Sequence, residues 1–505
     1  MYKIVVKQTY IIINDYTFGD YPKIENCFRT WDGVTHSLHY KCIEYDDTNK
    51  TLTLPRGMDI SLLEKVIGVK AYYENKNSPF RYNNDKTLVR YKPKNEKQIE
   101  TLSFLLGKGQ YRYTKNYSQL AVNLNTGAGK TYLGIAYMSA LNIKSVIITC
   151  SVDWLNQWKT RITEHTNILP RDICFIDGSD HARILMSKSP EEIDRNKIYL
   201  ITHGTIASLA SNNGWDYISQ LFTHLGIGIK IFDEAHLHFD NITAIDFHTN
   251  VYRTLYLTAT PAKSDERENE IFQTYFKNVP NIVLFDPNSD PRTRYIAIRY
   301  KSGLDAKEIS KCNTLYGFNR LIYCDQVIYK RNFDLICRVI MDIISRMRGK
   351  KLIFLSTNNA VMYMYEWIIC NYPEYDNMVG IYTSINDDKE SAKSKNIILT
   401  TSQSAGAALD ISDVVCSVQL AEPYKSETQN RQRLGRTRGA NTFYIDLIDD
   451  SCSTTSKYYI NNLPLFEKYA LSTKEMRFTN VELEDTAFRI MEERSKNGIN
   501  PFIRL

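Results

Sequence analysis

The spacing of apolar and polar residues changes near residue 86. Before it, short alternating stretches separated by turn-forming residues predict short strands and one helix near Ile60 to Val66. The opening residues, MYKIVVKQTYIII, alternate and lack a cleavage-site pattern, so we predict a strand there and not a signal peptide. From Lys86 onward, continuous apolar runs alternate with amphipathic segments, which is typical of a parallel sheet with crossover helices.

A turn-rich segment, FDPNSDPRTR, interrupts this alternation between about Phe285 and Arg294 and predicts a linker. The alternation then resumes with a long helix near Ile328 to Arg348, and the last 50 residues have a mainly helical pattern. We therefore predict an α/β chain with two similar parallel-sheet halves in tandem. The expected domains are a small α+β accessory domain at 1–85 with possible DNA-binding function, a first α/β domain at 86–290, a second at 291–455 and a helical extension at 456–505 packed on the second.

Composition sets the class of protein. A chain of 505 residues with 43% apolar and 24% charged residues is typical of a globular protein with two to four domains. No run of about eighteen apolar residues occurs, so we expect no membrane partner. The ten cysteines form no CxxC pair or zinc-ligand cluster, which favours reduced thiols in a cytoplasmic compartment, the host cytoplasm if the protein is viral.

The positive charge is concentrated in one segment. The chain carries a net charge of +6, and basic and acidic residues balance over residues 1–85. Residues 86–117 hold eight Lys or Arg against two acidic residues, which equals the excess of the whole chain. This segment is a candidate nucleic-acid contact, and a solvated surface is the alternative.

The stretch NTGAGKTY follows a predicted strand and precedes a helical pattern, as a phosphate-binding loop requires. Glycines let backbone N–H groups approach phosphate, and the helix N-terminus adds its positive dipole. The lysine is expected to contact the β- and γ-phosphates of ATP, and the threonine hydroxyl to ligate Mg²⁺. The residues expected at the phosphates are Thr126, Gly127, Ala128, Gly129, Lys130 and Thr131.

The stretch IKIFDEAH places two carboxylates at the end of an apolar strand, about a hundred residues after the loop. Asp233 is expected to hold Mg²⁺ through water, and Glu234 to orient and deprotonate the attacking water. His236 follows at a position suited to sensing the γ-phosphate. In LYLTATP, Thr258 and Thr260 are suited to hydrogen-bonding the DEAH segment, although this stretch alone is also an ordinary strand-to-turn transition.

In the second half, QRLGRTRG places several arginines at a helix start. We predict that Arg436 acts as an arginine finger on the γ-phosphate. A solvated basic helix is the alternative for this segment taken alone.

TGAGKT, DEAH, TAT and QRLGR, in this order, resemble the superfamily 2 helicases over roughly residues 90–450. The resemblance implies two RecA-like domains that bind ATP and Mg²⁺ in the cleft between them. It also implies that Gln98 reads adenine, and that Asp410 and Gln432 lie near the nucleotide. By the same resemblance, the expected nucleic-acid contacts are Ser151, Trp154, Gln157, Ser356 and Ser402.

The chain departs from the family pattern at three positions. Leu124 stands in place of a small residue before the loop, Ala408 in place of a glycine, and Gly439 in place of a second arginine. None of them removes a predicted phosphate or metal ligand. The tripeptide WDG, Trp31 to Gly33, together with TLTLPRG, is similar to the small N-terminal domain of phage UvsW-type helicases, which are related in their motor to XPB.

Three functions remain open at this point. The first is an ATP-dependent helicase or translocase on single-stranded, duplex or branched DNA, serving viral replication, recombination or repair. The second is a transcription-associated helicase, similar to poxvirus transcript-release enzymes, that acts with RNA or a polymerase complex. The third is a nucleic-acid clamp with little turnover.

Overall fold

The computed structural model describes residues 2–32, 36–74, 79–124, 128–258, 266–284, 293–314, 317–325, 331–345, 347–383, 386, 388–402, 404, 411, 413–420, 430, 433–434, 437 and 442–477. The chain forms two compact units, Met1–Phe285 and Asp286–Leu505. None of the described helices is long and apolar enough to cross a bilayer.

The first unit begins with a five-stranded sheet of order β5-β6-β2-β1-β7 and a separate β3–β4 hairpin. Its elements are β1 (Lys3–Val6), β2 (Tyr10–Asn14), α1 (Pro22–Asn26), β3 (Arg29–Asp32), β4 (Ser37–Tyr40), β5 (Glu44–Asp46), β6 (Thr51–Pro55), α2 (Ile60–Ile67) and β7 (Ala71–Tyr73). The helix predicted near Ile60 is confirmed. The single strand predicted at the start is wrong, because Lys7 N–H donates to Tyr10 O across a tight turn and divides the stretch into antiparallel β1 and β2.

The rest of the first unit is a seven-stranded, all-parallel sheet of order β10-β11-β9-β12-β13-β8-β14. Its strands are β8 (Gln119–Asn123), β9 (Ser145–Thr149), β10 (Ile173–Phe175), β11 (Ile198–Thr202), β12 (Ile229–Asp233), β13 (Arg253–Thr258) and β14 (Asn281–Val283). Its helices are α3 (Glu96–Leu105), α4 (Lys130–Leu141), α5 (Val152–His165), α6 (Gly178–Ser187), α7 (Pro190–Ile193), α8 (His203–Asn213), α9 (Trp215–His224), α10 (Phe239–His248) and α11 (Glu266–Phe276). Short 3-10 turns lie at Gly109–Asn116 and Pro170–Asp172.

The N-terminal sheet and this first parallel sheet share one apolar core. Buried residues of the small sheet, such as Ile13 and Leu54, belong to the same cluster as residues of α10 and α11, such as Phe239 and Tyr275. The turn between β1 and β2 is also bonded to the connection between α10 and β13, since Gln8 N–H donates to Asn250 Oδ1 at 3.0 Å. Residues 1–85 therefore fold against the first α/β body.

The second unit holds another seven-stranded, all-parallel sheet, of order β19-β20-β18-β21-β22-β15-β23, and a small β16–β17 ladder. Its strands are β15 (Thr293–Tyr300), β16 (Asn313–Thr314), β17 (Gly317–Phe318), β18 (Lys350–Leu355), β19 (Val379–Tyr382), β20 (Ile397–Thr401), β21 (Val414–Gln419), β22 (Thr442–Asp449) and β23 (Ser472–Arg477). Its helices are α12 (Ala306–Cys312), α13 (Arg320–Cys324), α14 (Phe333–Ile344), α15 (Asn358–Asn371), α16 (Lys389–Ser394) and α17 (Ser453–Tyr469), with a 3-10 turn at Pro373–Tyr375.

Two tandem parallel-sheet bodies with a small N-terminal α+β part confirm the predicted fold class. The long helix expected near Ile328 is described over Phe333–Ile344. In the C-terminal segment, helix occupies Ser453–Tyr469 as expected, but Ser472–Arg477 is a strand that pairs with β15 along one edge of the sheet. Almost all of the predicted linker lies outside the described residues.

Candidate functional site

The phosphate-binding stretch follows β8 and leads into α4. Gly129 adopts a left-handed backbone with φ of 93° directly before the helix, a conformation that glycine adopts without strain. Lys130 and Thr131 then form the first turn of α4, where backbone N–H groups lack helical partners. Asn125, Thr126 and Gly127 lie outside the described residues.

Leu124, the departure from the family pattern, points into the core. Its side chain is 2% exposed and belongs to the apolar cluster on one face of the first parallel sheet. Its backbone N–H donates to Thr258 O at 3.1 Å, which continues the pairing of β8 with β13. The side chain therefore packs within the core of the first parallel sheet.

Gln98 is held against the phosphate-binding loop. Its Nε2–H donates to Ala128 O at 3.0 Å, and its Oε1 accepts from Lys94 N–H at 2.8 Å. Asn95 caps the N-terminus of α3 by accepting a hydrogen bond from Gln98 N–H at 2.9 Å. This bond fixes the backbone position from which the Gln98 side chain extends. Gln98 therefore braces the loop in this structure, and adenine recognition by Gln98 stays a prediction.

The two carboxylates of DEAH lie at the carboxyl end of β12, next to Lys130. Lys130 Nζ is 3.3 Å from Glu234 Oε1, and both side chains are buried. Glu234 has a positive φ of 51°, which is uncommon for a residue with a Cβ and often marks a functional position. Parallel strands place their carboxyl ends at one edge of a sheet, so residues about a hundred positions apart meet there.

The position of Asp233 is set by two hydrogen bonds. Its Oδ1 accepts from Glu234 N–H at 3.0 Å, and its Oδ2 accepts from the indole N–H of Trp158 at 2.8 Å. Burial and the neighbouring Glu234 raise the pKa of Asp233 to about 6, while Lys130 and Trp158 lower it. The same two carboxylates, together with burial, raise the pKa of Cys150 to about 12, so this thiol stays protonated.

His236 connects the carboxylates to the next strand. Its Nδ1 lies 3.0 Å from Thr258 Oγ1 and 3.3 Å from Glu234 Oε2. The predicted contact between the DEAH segment and Thr258 is therefore present. Thr260 lies outside the described residues.

The donor set fits Mg²⁺. Two carboxylates, Asp233 and Glu234, lie beside one ammonium group, so the site has a surplus of negative charge. Burial, and then the charge of Glu234, raise the pKa of Asp233. A hard divalent cation with oxygen ligands would offset this surplus of charge, and the Thr131 hydroxyl adds a neutral oxygen ligand type. These residues are those expected to hold Mg²⁺ together with a nucleotide's phosphates.

The predicted nucleic-acid contacts of the first unit lie on α5. Ser151 caps this helix by accepting from Trp154 N–H, and the Trp154 side chain is 8% exposed. A buried indole cannot stack on a base, so a contact at Trp154 is restricted to its backbone. Gln157 lies on the same helix, and contact of these residues with nucleic acid stays a prediction.

In the second unit, Ser402 follows β20 and accepts a hydrogen bond from Arg433 Nη2. Arg433, within QRLGR, is 5% exposed, and its guanidinium lies 5.5 Å from the ring centroid of Phe354. Ser356 directly follows β18. Asp410, Gln432 and Arg436 lie outside the described residues, and so do Ala408 and Gly439.

Trp158 was not among the predicted site residues. It follows Trp154 at helical spacing, a pattern that indicates core packing. Its hydrogen bond to Asp233 joins positions 75 residues apart, and the sequence carries no signal for that contact.

Comparisons with known proteins agree with this geometry. The family model described as "Type III restriction enzyme, res subunit" matches residues 91–263. The XPB subunit of Schizosaccharomyces pombe, described as the general transcription and DNA repair factor IIH helicase/translocase subunit, is 22% identical over 402 residues, covering 73% of this chain and 45% of that protein. The chain spans less than half the length of the curated relatives it matches.

Solved structures show the same fold. The structure of Saccharomyces cerevisiae Dbp5 bound to RNA and ADP BeF3 aligns with a TM-score of 0.51 and 15% identity, covering 79% of this chain and 93% of that one. The structure of T4 UvsW aligns over 94% of this chain and 99% of that one at 15% identity, with a TM-score of 0.37 that is too low to compare the folds. The ordered motifs, the clustered site residues and these similarities support an ATP-hydrolysing enzyme similar to the superfamily 2 helicases.

Proposed function

We propose that the chain is an ATP-driven translocase that remodels duplex or branched DNA, by fork regression, junction migration, unwinding or annealing, in viral replication, recombination or repair. The observation that carries this proposal is the continuous series of contacts from Lys130 through Glu234 and His236 to Thr258. Such a series connects a phosphate ligand, a general base and the strand that leads to the next motif.

The ion pair between Lys130 and Glu234 suggests how the cycle begins. In this structure Lys130 Nζ neutralises the carboxylate that is expected to act as the base. When the γ-phosphate binds Lys130, the ammonium group turns to the phosphate and Glu234 becomes available to accept a proton from the attacking water. Thr131 and Asp233 would hold Mg²⁺, which would neutralise part of the phosphate charge.

His236 then couples the protonation of Glu234 to the position of β13. Because its Nδ1 contacts both Glu234 Oε2 and Thr258 Oγ1, a change at the base alters a hydrogen bond of the next motif. Arg436 as an arginine finger remains a proposal that rests on the family resemblance. Arg436→Lys is expected to retain ATP binding and to lower turnover by roughly 10³-fold or more.

The role of Glu234 is tested with a matched pair of variants. Glu234→Gln is expected to keep ATP binding and to abolish turnover, because an amide cannot accept the proton. Asp240→Asn removes a carboxylate that is 67% exposed in the same unit and should leave turnover unchanged. Turnover by Glu234→Gln within a few-fold of the unchanged protein would show that Glu234 is not the base.

The basic segment 86–117 is the proposed contact with the DNA backbone. Its eight Lys and Arg side chains are all exposed, and among its acidic residues Glu100 is occupied by a hydrogen bond from Tyr111 at 2.6 Å. A surface of this kind binds phosphates regardless of the DNA sequence, and its affinity for DNA decreases as the salt concentration rises.

Neutralising Lys92, Lys94, Lys108 and Arg112 to Gln tests this contact. DNA affinity should fall, and the slope of log affinity against log salt should decrease in magnitude by up to about 4, since each phosphate contact contributes about 0.9. An unchanged slope would exclude the segment as a DNA contact.

A control with the same change of charge uses exposed basic residues elsewhere in the first unit. The control set is Lys23, Lys65, Arg171 and Arg195. Neutralising these residues should leave the salt slope unchanged, so that loss of net charge is separated from loss of a contact.

The experiment that decides the substrate is steady-state ATPase activity with no nucleic acid, single-stranded DNA, duplex DNA, a four-way junction and single-stranded RNA. Strongest stimulation by the junction or duplex supports the proposal. Absence of turnover with every substrate, despite ATP binding, favours the clamp. The buried position of Leu124 argues against the clamp, because its side chain packs in the core of the first parallel sheet.

A transcription-associated role is the second candidate. It is favoured by the similarity to the Schizosaccharomyces pombe relative, which is described as a subunit of a general transcription and DNA repair factor. Stimulation of the ATPase by RNA, or co-purification with a polymerase, would select this role over DNA remodelling.

A further inference from the structure

The hydrogen bond from Trp158 to Asp233 joins two elements of the proposed ATPase site. Trp158 lies on α5 and is 1% exposed, and its Nε1–H donates to Asp233 Oδ2 over 2.8 Å. A buried indole N–H requires an acceptor, and here the acceptor is the carboxylate expected to hold Mg²⁺. A hydrogen bond to an ionised group is stronger than one between neutral groups.

The indole sits in a space that α4 leaves open. A Cβ on Gly134, one turn after Lys130, would lie 2.8 Å from Trp158 Cη2 and 3.4 Å from Leu257 Cδ1. The ring is therefore confined between the phosphate-loop helix and β13. A rigid side chain held in this way fixes the direction of its N–H group.

Together with the backbone of Glu234, this contact determines how Asp233 is oriented. Oδ1 accepts from Glu234 N–H at 3.0 Å and Oδ2 from Trp158, so rotation of the carboxylate about its side-chain bonds is restrained from both oxygens. Each oxygen accepts one of these hydrogen bonds and keeps a further lone pair that can bind a metal ion.

We propose that Trp158 is a positioning residue that pre-orients Asp233 for Mg²⁺, and that Gly134 provides the room for its ring. The proposal rests on the proposed function, because Mg²⁺ at Asp233 is part of that function. Partners that orient metal ligands typically contribute 10–100-fold in metal affinity.

Trp158→Phe removes the N–H and keeps an apolar ring. We expect the Mg²⁺ concentration for half-maximal binding of a fluorescent ATP analogue to rise about 10–100-fold. Binding of the analogue in EDTA should remain unchanged, because the contacts of Lys130 with phosphate do not involve the indole.

Gly134→Ala serves as a second variant that keeps the indole and displaces its ring, and it should also raise the Mg²⁺ requirement. The matched control is Trp367→Phe, which removes a similar bond in the second unit, from Trp367 Nε1 to Asp334 Oδ1 at 2.7 Å. This control should leave the Mg²⁺ requirement unchanged.

An unchanged Mg²⁺ requirement in folded Trp158→Phe, or an equal loss of binding with Mg²⁺ and in EDTA, would overturn the proposal. If Trp158→Phe does not fold, an unchanged requirement in Gly134→Ala overturns it instead. Because the readout is nucleotide binding, the proposal can hold even if the ATPase assays show no stimulation by DNA.

Discussion

The two parallel sheets follow the same strand order, yet corresponding strands end in different side chains. Numbered from the first strand of each sheet, both follow the order 3-4-2-5-6-1-7. The fifth strand of the first sheet ends in Asp233 and leads into Glu234, whereas that of the second ends in Gln419 and leads into the buried Leu420. The shared scaffold thus brings strand ends together in both units, and the residues at those ends decide the chemistry.

The sheets also differ in how they hold a buried lysine. In the first, Lys230 Nζ is 2.6 Å from Asp246 Oδ1, with both side chains fully buried, and Asp246 also accepts from Tyr256 and Tyr275. In the second, Lys351 is 1% exposed, and burial lowers its pKa to about 8. Burial lowers the pKa of both lysines, but the charge of Asp246 offsets part of this cost at Lys230. At Lys351 the cost of burying the charge destabilises the fold at neutral pH.

The largest effect is expected from substitutions that test the difference between the site residues of the two sheets. Lys130→Ala should abolish ATP binding and lower turnover by at least about 10³-fold, which corresponds to roughly 4 kcal/mol, because the phosphate ligand is lost. Lys301→Ala, an exposed lysine after the first strand of the second sheet, should change neither. Fluorescent-nucleotide titration and steady-state ATPase assays measure both, and equal losses in the two variants would remove the functional distinction between the sheets.

The next effect concerns the buried ion pair. Asp246→Ala removes the carboxylate partner of the buried Lys230 inside the first unit, and should lower the free energy of unfolding by about 3–5 kcal/mol. In the second unit, Asp450→Ala removes a carboxylate that pairs with Arg299. The Asp450 side chain is 20% exposed, so the substitution should lower the free energy of unfolding by only about 1 kcal/mol. Urea denaturation measures both, and a similar cost for the two variants would contradict the distinction.

Much of the fold and the centre of the site could be predicted from the sequence. Apolar runs that alternate with amphipathic segments identified both parallel sheets, and local motifs identified Lys130, Asp233 and Glu234. The shared core of the N-terminal sheet and the contact of Trp158 with Asp233 could not be predicted. Both depend on contacts between residues far apart in the chain. The sequence pattern of a buried aromatic residue is the same whether or not its polar atom makes a hydrogen bond.

A smaller effect is expected at Lys351. Lys351→Met keeps the hydrocarbon chain and removes the buried charge, and should stabilise the second unit by about 2 kcal/mol at pH 7. The lowered pKa means that the cost of burying the charge is fully present below about pH 8 and disappears as the pH rises to the ordinary value of 10.5. Thermal melting at several pH values should therefore show the advantage of the variant shrinking between pH 8 and 10.5, and a constant advantage would rule out charge burial as the cause.

The smallest effect on stability is expected at Asp233, whose side chain is only partly exposed to solvent. Because its pKa is raised from 3.8 to about 6, ionisation of Asp233 destabilises the nucleotide-free fold above pH 6, and this cost disappears as the pH falls to 3.8. Asp233→Asn should stabilise the nucleotide-free protein by about 1 kcal/mol at pH 7 while abolishing Mg²⁺-dependent turnover. Melting without Mg²⁺ at pH 7 and pH 4 checks this, and a loss of stability at pH 7 would contradict it.

The bond between Gln8 and Asn250 has a consequence for how the protein is made. It joins residues 242 positions apart in the unit whose core the N-terminal sheet shares with α10 and α11. At 5–20 residues per second, a ribosome needs roughly ten to fifty seconds to synthesise the partner after the turn has emerged. The apolar face of the N-terminal sheet therefore lacks its packing partners until α10 and α11 have been synthesised, and the core of the first unit can be completed only then.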